Sequence, residues 1–124
     1  MLGLVQGYAQ IPKRNVECLT TTQSDIVVID GHISDTFWMQ GEWQKGFVQR
    51  QPKEGASPTV ITTFKILSDL KYLYVAIQCE DPTPGSISQR MSRRDDLKGD
   101  WVEISLDANS DRRSAYVFAL TAAG

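Results

Sequence analysis

Apolar and polar residues alternate with period two along much of this chain, the pattern of strands with one covered face. In Lys71–Cys79, Leu73, Val75, Ile77 and Cys79 project to one side, expected to be the core, while Tyr72, Tyr74, Ala76 and Gln78 project to the other. Asp100–Asp107 repeats the pattern, with Val102, Ile104 and Leu106 inward and Trp101, Glu103 and Ser105 outward. Ser114–Thr121 sets Tyr116, Phe118 and Leu120 on one face, and Val60–Ser68, rich in β-branched residues, sets Phe64 and Ile66 against Thr63 and Lys65. Ile26–Ile29 predicts a shorter fifth strand.

Turn chemistry separates these runs: Asp30-Gly31, Gln51-Pro52-Lys53-Glu54-Gly55, Ser68–Lys71 and Asp107–Arg113. The short links at 68–71 and 107–113 predict antiparallel neighbours. Ser34–Gln40 is expected to form one or two helical turns capped by Ser34, with Phe37 and Trp38 on their apolar face. The exception is 81–99, a long connection holding Pro82, Pro84, Gly85 and the charged run Arg90–Asp96. Connections of that length are commonly functional or mobile. The fold class is therefore all-β, an antiparallel β-sandwich.

At 124 residues the chain fits one domain. Thirteen basic and fifteen acidic side chains leave a net charge of −2, so no overall field draws in nucleic acid or an anionic membrane. No run approaches the length of a membrane-spanning helix. Residues 1–10 are small and apolar and have two readings, the remnant of a secretory signal or a disordered leader. A signal remnant places the protein outside the cytoplasm. There Cys18 and Cys79 are free to pair, the other reading being two unpaired buried thiols.

His32 is the only histidine, which removes His-based zinc sites and Ser-His-Asp or Cys-His hydrolysis. A hydrolase would have to work with paired carboxylates alone. Asp107-Ala-Asn109-Ser-Asp111 offers three side-chain oxygens at alternate positions, as a calcium loop does, or else an Asx-rich hairpin turn. Asp81 is a further oxygen donor at a strand end. Trp101, Tyr72 and Tyr74 point away from the aliphatic faces of their strands. They form either an open platform for sugar rings or a second apolar layer under residues 32–50, which hold Phe37, Trp38, Trp43 and Phe47. Arg93-Arg94-Asp95-Asp96, upstream of Trp101, either bond a polar ligand or pair with one another.

The order of short motifs carries a resemblance: Ile29-Asp30-Gly31 followed by Trp38, Phe47-Val48-Gln49, Gln51-Pro52 with Gly55, Leu73-Tyr74-Val75 with Asp81-Pro82, Arg93-Arg94-Asp95-Asp96, Asp100-Trp101-Val102, Leu106-Asp107 and Ala115-Tyr116-x-Phe118. From about Ile26 onward the chain resembles the family 9 carbohydrate-binding modules. It is most similar to the branch that precedes a large outer-membrane β-barrel in envelope proteins of Gram-negative bacteria. The resemblance implies a DOMON-like, jelly-roll-like β-sandwich over residues 11–124, lacking its final strands. It also implies non-catalytic sugar binding, calcium as a frequent ion, and attachment to glycoside hydrolases or to the barrel, in the periplasm, at the outer membrane or in secreted form. The expected ligand-facing cluster is Trp101, Arg93, Arg94 and Asp95, and the expected calcium ligands are Asp81, Asp107, Asn109 and Asp111. In sugar-binding members one ligand tryptophan stands a few residues before the Asp-x-Val-Glu strand; here Leu97 is near that place and Trp101 lies within the strand. A sandwich short of strands leaves an unpaired edge open to a second copy of the chain. The functions that differ from sugar binding are a structural domain docking to the barrel and a two-carboxylate glycoside hydrolase.

Overall fold

Five strands form two sheets in the computed structural model, which describes residues 14–21, 27–89 and 96–123. They are β1 (Leu19–Thr20), β2 (Ile61–Ser68), β3 (Leu73–Glu80), β4 (Trp101–Leu106) and β5 (Tyr116–Thr121). The first sheet has the order β1-β2-β3 and the second pairs β4 with β5. Both hairpins are antiparallel, as their short links require, with Phe64 opposite Ile77 and Ile104 opposite Phe118. The result is the all-β, two-sheet architecture expected of a β-sandwich. No helix among the described residues is long and apolar enough to cross a membrane.

Two elements differ from expectation. Residues 27–29 belong to no strand; Val27 packs against the core and Ile29 is exposed. The third strand of the first sheet is instead the short β1, which runs parallel to β2 with Leu19 opposite Leu67, so this sheet is mixed. Its pairing is reinforced by a 2.9 Å hydrogen bond between the Thr20 and Ser68 hydroxyls. The predicted helical turn is a 3₁₀ turn, Thr36–Met39, and it does bury Phe37 and Trp38. Its cap position is Asp35 and not Ser34, and no side chain bonds its free amides.

The core lies on the side of the first sheet that alternation alone assigns to solvent. Thr63, Lys65 and Leu67 of β2 and Ala76 of β3 are buried, whereas Phe64, Ile66, Val75 and Ile77 on the opposite side are half-buried. The buried side is closed by Phe37, Trp38 and Trp43. Phe37 meets Tyr74 edge-on at 4.8 Å between ring centroids and Trp38 at 5.4 Å, geometry that suits the ring quadrupoles. Lys65 can be inside because its Nζ donates a 2.8 Å hydrogen bond to the Trp38 carbonyl and sits 4.8 Å from the centre of the Trp43 ring. Desolvation by burial holds its pKa below the ordinary lysine range.

The β2–β3 turn is organised by Asp69. Its carboxylate accepts hydrogen bonds from the amides of Lys71 and Tyr72 and from the Tyr74 hydroxyl, at 2.7, 2.6 and 2.8 Å. Those amides and the hydroxyl hold its pKa below the ordinary aspartate value. In the second sheet Val102, Ile104 and Leu106 are half-buried while Trp101, Glu103 and Ser105 are exposed, as the alternation predicts. Their cross-strand partners Leu120, Phe118 and Tyr116 remain largely open, Phe118 being 56% exposed.

Lys65 generates a stability prediction. Lys65→Ala removes the only donor that satisfies the buried Trp38 carbonyl among the described contacts and leaves a void, a loss of about 2–4 kcal/mol. Lys65→Met keeps the volume and forfeits only the polar contacts, so it is expected to lose less. Urea unfolding of the two variants measures both effects.

Candidate functional site

A cleft of about 680 Å³ opens where the two sheets meet. One wall is the end of the first sheet, with Thr62 and Cys79, and the other is the start of β4 and the end of β5, with Trp101, Val102, Leu120 and Thr121. Asp81, Ser86 and Asp100 line its rim. Its size lies within the range of small-ligand sites. Trp101 is 46% exposed, so part of the indole is available to a ligand.

The long connection between β3 and β4 is tied down on both sides of this cleft. Asp81 accepts hydrogen bonds from the Thr83 amide and the Ser86 hydroxyl, both at 2.7 Å, which fixes the 3₁₀ turn Pro84–Ser86. The Ser86 hydroxyl and the Thr83 amide hold the Asp81 pKa below its ordinary value. Asp100 accepts the Ser88 amide at 2.8 Å, and the Ala122 amide donates to the Asp100 carbonyl at 2.9 Å. The backbone on either side of Trp101 is therefore held to both the connection and β5.

Trp101 and Asp81 thus share one site. Arg93, Arg94 and Asp95, expected beside Trp101, lie outside the described residues. The three outward aromatics do not make one platform. Tyr74 is covered by Phe37 and Trp38, Tyr72 stands exposed near the β2–β3 turn, and Trp101 alone lines the cleft. Thr59, Thr62, Ser86, Asp100 and Thr121 complete the polar lining and were not singled out by sequence, although Asp100 stands in the Asp100-Trp101-Val102 motif.

The expected calcium ligands are not gathered. Six residues of β4 at about 3.3 Å each separate Asp107 from the Trp101 end where Asp81 lies. Within the 107–114 turn, the Asp107 carboxylate accepts the amides of Asp111 and Arg112 at 3.2 and 2.9 Å. Asp111 accepts the amides of Arg113 and Ser114 and the Ser114 hydroxyl, which lower its pKa. The Asn109 side-chain nitrogen points to the Ser114 hydroxyl at 3.4 Å. Among the described residues no group of three or more acids, cysteines or histidines is placed to hold a metal ion. These hydrogen bonds are those of an Asx-stabilised hairpin turn. Cys18 and Cys79 are free thiols and both are exposed, contrary to the buried pair expected of unbonded cysteines.

The downward shift of the Asp81 pKa is opposite to the raised value that a glycosidase's general acid needs.

Two outcomes follow. Asp111→Ala unties the β4–β5 turn and lowers the melting temperature by the same amount in calcium as in a chelator; thermal unfolding in both buffers checks this. Because Asp69, Asp81 and Asp111 have depressed pKa values in the fold, their stabilisation is complete above the unfolded value of about 3.8 and is lost as pH falls through the lower folded values. Urea midpoints measured between pH 6 and 2 are expected to hold steady at first and to drop below about pH 4, with a smaller drop in Asp69→Asn.

No curated protein and no solved structure gives a significant match. The family described as carbohydrate family 9 binding domain-like matches residues 29–120, a span that covers β2 to β4, most of β5 and the cleft-lining Asp81, Asp100 and Trp101. The chain belongs to the carbohydrate family 9 binding domain-like family.

Proposed function

We propose that this domain binds carbohydrate without catalysis in the cleft between its two sheets, with Trp101 as the stacking residue. The observation that carries this reading is the placement of a half-open indole beside several hydroxyl and carboxylate groups on one concave surface. A sugar ring has apolar C–H faces and polar edges, so it needs an aromatic plane and hydrogen-bonding side chains within one ring's width. Trp101 offers the plane. Thr59, Thr62, Ser86 and Asp100 offer donors and acceptors around it. The half-open cleft favours sugar binding over docking to a barrel, which would call for a covered aromatic face.

Domains of this family are non-catalytic in general, and the depressed pKa of Asp81 supports the same assignment here. The setting we propose is the cell envelope, supported by the apolar residues 1–10 and by the resemblance to modules attached to outer-membrane barrels.

Isothermal titration with neutral cello- and xylo-oligosaccharides tests the site. Binding is expected, and Trp101→Ala is expected to weaken it at least about tenfold through loss of the stacking surface. No heat with any neutral oligosaccharide, or equal affinity in the variant, overturns the assignment.

A further inference from the structure

A second concave surface of about 350 Å³ lies at the start of β2, where Thr62 lines both it and the cleft. It is built by the segment after Gln44. That residue exchanges two backbone hydrogen bonds with Phe64, at 2.7 and 3.0 Å, and so fixes where residues 45–48 leave the sheet. The 49–56 turn is closed by the Gln49 amide bonding the Ala56 carbonyl and the Gly55 amide bonding the Gln49 carbonyl, each at 2.9 Å. Phe47, Val48, Pro58 and Ile61 give the surface apolar walls. Phe47 is held edge-on against Phe64 at 5.6 Å and is still 43% exposed.

The charged residues lining this groove are Arg14 and Lys45, both cations, and neither pairs with a carboxylate among the described residues. The Arg14 Nη1 donates to the Lys45 carbonyl, and the guanidinium lies over Gly46. Gly46 also has φ +101°, a conformation that other residues rarely adopt. One nitrogen anchored to a carbonyl leaves further N–H donors of the planar fork for a ligand. The adjoining 49–56 turn carries Arg50, Lys53 and Glu54 in its sequence.

We infer that this groove is a second carbohydrate site, selective for acidic sugars of the uronate class. The C–H face of the ring lies on Phe47 and its carboxylate bonds Arg14. The inference rests on the carbohydrate reading of the family but not on the cleft at Trp101. The volume accommodates one or two rings, and the combination of a single aromatic with a guanidinium matches the two chemistries of a uronate. A long polyphosphate would use the cations but have no use for Phe47.

The experiment is an amide NMR titration of the full chain with trigalacturonate, its methyl ester, inorganic polyphosphate and, separately, a neutral cello-oligosaccharide. Trigalacturonate is expected to shift the Gly46–Val48 and Gly55–Ser57 amides, with an affinity that falls on adding salt. Arg14→Ala and Phe47→Ala, both surface truncations, are each expected to weaken it about tenfold. The inference is overturned if those amides do not move, if the methyl ester binds as tightly, or if polyphosphate moves them equally and Phe47→Ala has no effect. The Trp101 indole resonance reports on the cleft independently. Its response to the neutral sugar without movement at Gly46–Val48 under trigalacturonate would remove the groove alone, and the reverse pattern would remove the cleft alone.

Discussion

The buried ammonium of Lys65 is the constraint from which the arrangement of this domain follows. A cation in the interior of a sheet is tolerable only when a carbonyl and an aromatic face replace its water. Here the Trp38 carbonyl and the Trp43 ring do so, which obliges the 36–43 segment to lie across β2. Phe37 and Trp38 are thereby brought onto Leu67, Ala76 and Tyr74, and the true core forms on that side. The segment then continues through the Gln44 bridge to Phe64, and that bridge sets the starting point of the basic 45–58 turn. The opposite side of the same sheet, carrying Phe64 and Ile77, remains half-covered and borders the second sheet at the cleft.

A second regularity concerns the aspartates. Asp69, Asp81, Asp100, Asp107 and Asp111 each accept at least one backbone amide in a turn or connection. This is local carboxylate-to-amide bonding of the kind that favours turns over regular structure. For ligand chemistry the surface offers an exposed indole with hydroxyls in one place and an exposed phenyl with a guanidinium in another.

Much of the fold was legible in the sequence because period-two patterning and turn chemistry agree at each hairpin. β2 to β5 begin and end within two residues of the alternating runs, and the Val102–Ile104–Leu106 face is the more covered one, as expected. The face of the first sheet was misassigned for a physical reason. Hydropathy ranks Lys65 and Thr63 as outward, and no local signal reveals that a carbonyl some 27 residues earlier in the chain will satisfy the ammonium. Similar logic explains the short parallel strand: Leu19–Thr20 has too few residues for any periodicity, and its partner is distant in sequence. At the cleft, the exposure of Trp101 was legible from outward alternation, while Asp81, expected among the calcium ligands, lines the same cleft. Their neighbours Thr59, Thr62 and Ser86 were not, because ordinary hydroxyl residues gain meaning only when the sheets converge.

The two concavities differ in the charge of their linings. The charged side chains among the described lining of the cleft are Asp81 and Asp100, while those of the groove are Arg14 and Lys45. Association between fixed charges and a ligand is governed by the sign each surface presents, so one polymer carrying acidic and neutral rings would be oriented by the pair. On the proposed assignments, acidic rings would be repelled from the cleft and drawn to the groove, whereas neutral rings have no electrostatic reason to leave the indole. A sugar chain long enough to span both proposed sites would gain affinity beyond either alone, because the second contact becomes intramolecular once the first is made.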